Sequence, residues 1–201
     1  IYEKALGKGH PNYIKVSNNL ASMYAILGQY QKAEELCLNS LELRKKILGV
    51  KHPDYASSLN RLALIYKETW QYEKAEPLFE EALEIRKKVL GEDHPDFASS
   101  LYNLALLNRI NGNLLKADSM IQRVIAIRKK LLGINHPDYA AAISGLGFTR
   151  SLRGLHQEAE QLYLQALEIR KNSLGVKSPD YSSTLFDLAK LYSITGQHDK
   201  S

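Results

Sequence analysis

The sequence predicts an all-α solenoid of antiparallel helix pairs, and three features carry that expectation. Pro11, Pro53, Pro95, Pro137 and Pro179 recur 42 residues apart. A Leu-Gly pair keeps step at Leu6-Gly7, Leu48-Gly49, Leu90-Gly91, Leu132-Gly133 and Leu174-Gly175. Between these marks apolar residues fall at helical spacing among Leu, Ala, Glu, Lys and Arg, all good helix formers. Self-similarity on this scale marks repeats that bury their apolar faces only against neighbours. No insertion or deletion breaks the register, so 1–201 reads as a single array. In it, 1–10 end a preceding repeat, 11–52, 53–94, 95–136 and 137–178 are full repeats, and 179–201 is a truncated fifth.

One repeat, Pro53 to Leu90, shows the logic. Pro53 suits the first helical position, where its missing N–H leaves nothing unbonded. Asp54 follows where a negative charge meets the positive end of the helix dipole, as do Asp96, Asp138 and Asp180. Tyr55, Leu59, Leu62, Ala63 and Tyr66 share one face of this first helix. Glu68-Thr69-Trp70-Gln71 then turns the chain, where the other repeats place Gly28, Gly112, Gly154 and Gly196. A second helix carries Ala75, Leu78, Phe79, Ala82, Ile85 and Val89 as its stripe, and Gly91 ends it. Its glutamates come early and Arg86-Lys87-Lys88 late, an order that complements the dipole. Small residues at fixed slots (Ala21, Ala63, Ala105, Gly147, Ala189; Ala33, Ala75, Ala117, Ala159) let neighbouring helices approach closely.

Leu62-Ala63, Tyr66, Tyr72, Ala75, Phe79 and Ala82 resemble the tetratricopeptide repeat signature, whose unit is usually about 34 residues. Runs such as Gly91-Glu92-Asp93-His94-Pro95-Asp96 resemble the 42-residue variant of kinesin light chains and of many bacterial multi-repeat proteins. The resemblance implies a right-handed superhelix, with first helices lining a concave side, and a role in protein binding.

The expected groove residues are those of the first helices off the packing stripe: Asn18, Asn19, Asn60, Arg61, Lys67, Tyr102, Asn103, Arg109, Phe148, Phe186 and Lys190. Asparagine is a mediocre helix former, so repeated asparagines on an exposed face need another reason. Their amides both donate and accept, which suits a peptide backbone. In kinesin light chains asparagines at this place do that job, and Asn19 and Asn103 match it; Arg61, Gly145 and Asp187 fill the same slot elsewhere. Lys15, Arg61, Lys67, Arg109 and Lys190 outnumber Glu68 and Asp187 on this face. With Tyr102, Phe148 and Phe186, the groove is expected to take a peptide with acidic residues beside a large apolar anchor, Arg61 clamping a carboxylate. Repeats three and four depart together, with Asn108 and Arg150 replacing the tyrosine of Tyr24, Tyr66 and Tyr192. One reading is a pocket beside Phe148 opened by Gly145. The preferred reading is drift, with Asn108 and Arg150 satisfying each other.

Nothing in the pattern points to catalysis, a metal or a cofactor. His10, His52, His94 and His136 precede the periodic prolines, one per repeat, and Ser178 fills the same slot, which indicates a polar cap. Cys37, the single cysteine, lies on an apolar stripe as a core filler; no disulfide within the chain is possible. Asp118 and Arg153 read as isolated surface charges. Trp70, in a glycine slot, either caps its own repeat or protrudes as a contact.

A net charge of +5 and a ladder of basic helix ends (Arg44-Lys45-Lys46 and its periodic equivalents) leave nucleic acid as a minor alternative. Dipole compensation accounts for the same residues. No apolar run suits a membrane span, and with one cysteine the chain reads as cytoplasmic. Residues 1–7 align with 85–91, and the sequence stops where a second helix should begin. It is therefore expected to be part of a longer polypeptide. The function that follows is a protein-interaction scaffold binding a peptide or partner domain. Alternatives are the sensor or regulatory arm of a larger bacterial effector, and a repeat suited to end-to-end self-assembly.

Overall fold

The computed structural model describes residues 11–197. The expectations placed on 1–10 and 198–201, including Leu6-Gly7, His10, His198 and the cut ends, lie outside the described residues. Among the described residues there are nine α-helices and no strand. They are α1 Pro11–Ile26, α2 Tyr30–Leu48, α3 Pro53–Glu68, α4 Tyr72–Leu90, α5 Pro95–Ile110, α6 Leu114–Leu132, α7 Pro137–Leu152, α8 His156–Leu174 and α9 Pro179–Ile194. The chain forms two compact units, one reaching Leu107 and the other starting at Asn108, so the division falls within α5.

Four of the first helices, α3, α5, α7 and α9, start by one shared device. The Nδ1 of His52, His94 and His136 accepts the backbone N–H of Asp54, Asp96 and Asp138, each at 3.1 Å. Ser178 Oγ accepts from the Tyr181 N–H at 3.1 Å in the equivalent place. One orphan donor of the first turn is satisfied each time, which is the cap expected of this slot.

The turn inside each pair is a Schellman motif. The N–H of Gln29, Gln71, Asn113, Leu155 and Gln197 reaches back to the carbonyl of Tyr24, Tyr66, Asn108, Arg150 and Tyr192 at 2.8–2.9 Å. The residue before each of these donors must take a positive φ. Gly28, Gly112, Gly154 and Gly196 do so, and Trp70 is forced to the same geometry at φ 62°.

In the first unit α1, α2, α3 and α4 pack in succession, and Tyr55, Ala56, Leu59 and Ala82 form a buried cluster with Leu41, Leu78 and Ile85 around it. In the second, α6, α7, α8 and α9 do the same around Tyr139, Ala140, Ile143 and Ala166, and around Tyr163, Leu167, Leu188 and Leu191. Ala33, Ala75, Ala117 and Ala159 are fully buried, as the small-residue slots require. Cys37 is fully buried too, and burial pushes its thiol up to about 11, against a smaller opposing effect of the Arg61 charge. It is a core filler.

Gly147 has a packing reason that its weak helix propensity hides. A Cβ there would stand 3.2 Å from the Tyr163 ring and 3.3 Å from Leu162 Cβ. Tyr163 fills the slot held by Cys37, Phe79 and Ile121 in other repeats, so the bulky ring is met by the smallest partner.

Two sets of bonds join consecutive pairs, and neither follows the sequence expectation. The first concerns the basic ladder. Arg44, Arg86, Arg128 and Arg170 donate to the backbone oxygen of Asp54, Asp96, Asp138 and Asp180 at 2.6–3.0 Å. Three also bond a hydroxyl one turn further on: Ser58 at 2.9 Å, Ser100 at 2.6 Å, and Thr184. Arg86 reaches Ser57 as well, at 3.0 Å, and is only 6% exposed. The leading arginine of each basic run is therefore a tie between repeats, and the exposed charge left on the ladder belongs to the lysines.

The second set corrects the reading of Asp118, Arg150 and Arg153. Asp118 is buried, at 3% exposure, and bonds Gln122, Arg153 and, at 3.4 Å, Arg150. Arg150 also pairs with Glu158 at 2.7 Å. Asp118 and Arg153 are thus not isolated surface charges, and Arg150 finds its partner in the preceding pair's second helix rather than in Asn108. Burial opposes ionisation of Asp118, but the bonds from Gln122 and Arg153 and the charge of Arg150 outweigh it and hold the carboxyl below its usual range.

Candidate functional site

The first-helix face of the first unit is built from α1, α3 and the start of α5. Asn19 is exposed there, as is Lys15. The Asn103 amide donates to Asn60 Oδ1 at 3.2 Å, so two asparagines from successive repeats meet side by side. Each keeps hydrogen-bonding capacity beyond this single bond. Asn18 is different. It is 4% exposed, and neither atom of its amide has a partner, so it belongs to the interior and not to the face on which it was expected.

Arg61 is half-buried and donates to Ser22 Oγ in the preceding repeat. That bond leaves most of the five guanidinium donors for other acceptors. Lys67 is half-buried and pairs with Glu68 at 3.0 Å, so its charge is partly answered within the helix. Tyr102 is half-buried and already engaged by neighbours.

In the second unit the aromatic and basic residues come together. The Arg109 guanidinium lies 4.6 Å from the Phe148 ring centroid and donates to the Gly145 carbonyl at 3.4 Å. Gly145 itself is buried. Arg109 thus takes the place beside Phe148 that a ligand would enter in the pocket reading. Burial raises the Asp187 carboxyl above its usual range, while Arg109, Lys190 and Arg170 pull it back. Phe186 is 69% exposed and Lys190 is exposed, so both are accessible to a partner.

At the α5–α6 turn an open cavity of about 680 Å³ is lined by Gly112, Asn113, Leu114, Leu115, Lys116 and Arg153. It involves none of the anticipated groove residues. Among the described residues no group of three or more His, Cys, Asp or Glu could hold a metal ion, and no helix is long and apolar enough to cross a membrane.

Trp70 protrudes: it is 80% exposed, with the Tyr72 ring tilted beside it at 6.1 Å. The sequence signal for the bonds between repeats was present but distributed. Slots 34, 76, 118 and 160 are all acidic, and Tyr66 and Tyr192 donate to Glu34 and Glu160 at 2.9 and 2.8 Å.

Helical pairs tied through periodic side chains define a helical-hairpin repeat protein, a class that presents extended faces for other proteins. The tetratricopeptide repeat model matches residues 13–88, 62–110, 96–172 and 139–201, and the chain belongs to that family. Among solved structures it is similar to a kinesin light chain-type protein of Podosopora anserina with nearly identical TPR-like repeats. That likeness has 30% identity over 95% of this chain and 90% of the other, with a TM-score of 0.79. BtubC (BKLC) from P. vanneervenii shares the fold at TM-score 0.81, with 23% identity over 99% of this chain and 78% of that one. Among curated proteins, none matches the sequence.

Proposed function

We propose that the protein is an interaction scaffold that holds an extended peptide or partner segment against its first-helix faces. The observation that carries this reading is the pair Asn60–Asn103, together with the exposed Asn19 on another first helix of the same unit. Amides on one face offer donors and acceptors to a peptide backbone whatever its sequence. Side chains around them then select. Arg61 and Lys15 favour acidic residues in the first unit, and Phe186 with Lys190 favours an apolar anchor next to an acid in the second.

The test is fluorescence polarisation with peptides selected from a random display library against the wild-type protein. Asn103→Ala should weaken such peptides whatever their sequence, and Arg61→Glu should weaken the acidic ones most. Acidic peptides that bind Arg61→Glu as tightly as wild type would remove the basis for this selectivity.

A further inference from the structure

We infer that the junction between the first two helical pairs is a carboxylate-binding site, in which Arg44, Arg61 and the Asn18 amide receive an aspartate or glutamate side chain of a partner. The bound peptide of the scaffold reading, on which this rests, supplies the carboxylate; the site itself belongs to the fold.

The 42-residue register matches the tie arginine of each junction with one slot of the next first helix. The four pairs are Arg44 with Arg61, Arg86 with Asn103, Arg128 with Gly145 and Arg170 with Asp187. At the last junction the two carry opposite signs. Burial raises the Asp187 carboxyl there, while Arg109, Lys190 and Arg170 pull it back. At the first junction the same two slots carry the same sign. Arg44 donates to Ser58 Oγ at 2.9 Å, and Arg61 stands one turn further along the same side of α3. Burial lowers the Arg44 pKa, the Asp54 charge opposes this, and the Arg61 charge lowers it further. Two guanidiniums thus face each other where Arg170 faces a carboxylate. An anion that both can bond removes the conflict.

An amide completes the site. Asn60 and Asn103 meet across the second junction at 3.2 Å, and the same two slots hold Asn18 and Arg61 at the first. Asn18 is 4% exposed with neither amide atom bonded, and Arg61 is turned to Ser22 Oγ. A buried amide without a partner is costly, and a carboxylate oxygen accepting from its Nδ2 relieves that cost. Arg44 and Arg61 are only half-buried, so a side chain can reach them.

The surrounding charges favour an acid. Lys15, the one charge on α1, fills the slot of Ser57, which Arg86 reaches at 3.0 Å, so the register sets it beside Arg44. On α3, Lys67 and Glu68 answer each other at 3.0 Å, and Asp54 is the carboxylate that acts on Arg44. On α2, Glu34 accepts from Tyr66, whereas Glu35 and Glu42 lie about 160–180° round the helix from Arg44. The other charges of α2 and of the loop after it, Lys32, Lys45, Lys46 and Lys51, are positive.

Acetate is the probe. Its titration at constant ionic strength, against chloride, is followed by NMR of the arginine Nε–H groups, assigned with Arg44→Lys and Arg61→Lys. The expected result is a saturable shift of the Arg44 and Arg61 signals that chloride does not reproduce, with Arg170 unmoved. Arg61→Asn should weaken acetate at least about tenfold, the equivalent of one charge-assisted hydrogen bond. Arg61→Asp supplies the carboxylate from within, so it should abolish the response and raise the melting temperature. Acidic peptides selected from a library should displace acetate. Shifts that chloride reproduces, or unchanged acetate affinity in Arg61→Asn, would overturn the site and leave a scaffold reading based on Asn103-dependent peptides standing. Acetate that binds between the arginines but is not displaced by any acidic peptide would overturn the assignment to a partner's side chain.

Discussion

Arg150 meets Asp118 across consecutive helical pairs at 3.4 Å, in the two slots where Tyr66 meets Glu34 and Tyr192 meets Glu160. One junction has exchanged a tyrosine–glutamate hydrogen bond for an ion pair. The acid has lost one methylene and the donor has become a guanidinium, so the slot keeps its job with different chemistry. Elsewhere the acid acts on the phenol: burial, and then the bond to Glu34, push the Tyr66 hydroxyl up to about 12.

Removing one member of this pair leaves the other's charge poorly compensated. Asp118→Ala is expected to cost about 3 kcal/mol in urea denaturation, since Asp118 is buried and answers both Arg150 and Arg153. The double change Asp118→Glu with Arg150→Tyr rebuilds the pairing of the other junctions and should recover more than half of that loss.

The same carboxylate gives acid sensitivity a definite sign. Its folded pKa is depressed, so its contribution is complete above the unfolded value of about 3.9 and disappears as pH falls through the lower folded value. A stability–pH profile between neutral pH and pH 2 should be shallower below pH 4 for Asp118→Asn than for wild type.

The arginine ties should differ in strength with their acceptors. Arg86 bonds a carbonyl and two hydroxyls, whereas Ala142 stands where Ser58, Ser100 and Thr184 receive the equivalent arginines. Arg86→Ala should therefore destabilise by roughly 2–3 kcal/mol, and Arg128→Ala by less, in paired denaturation curves.

Gly147→Ala tests the packing explanation against helix propensity. Propensity alone gives a gain of up to about 1 kcal/mol, but a Cβ would press on the Tyr163 ring and Leu162. The substitution should be neutral or destabilising in wild type. In a Tyr163→Ile background, where the slot holds the residue type of Ile121, it should stabilise.

Trp70→Gly should raise the stability of the protein by about 1 kcal/mol, because glycine takes φ 62° without a Cβ penalty and little burial is lost. Thermal melts measure it.

Helices, turns and caps were legible because each depends on residues close in sequence: His52 and Asp54, or Gly28 within its own turn. The ties between repeats were not, because Asp118 and Arg150 are 32 residues apart and only stacking brings them together. Asn18 shows the same limit. Helical spacing placed it beside Asn19, but the packing of its neighbours buries it and leaves Asn19 exposed. On the first-helix faces residue types were readable from the pattern, but what they already hold, such as Arg61 on Ser22 and Arg109 on Phe148, emerges only from the fold.

The most direct measurement of the scaffold account is the affinity of library-selected peptides for four proteins: wild type, Asn103→Ala, Arg61→Glu and Lys171→Glu, the last on the exposed end of a second helix. The expected result is at least a tenfold loss with each first-helix change and none with Lys171→Glu. Equal affinity for all four, or a loss confined to Lys171→Glu, would contradict the account and move recognition away from the first-helix faces.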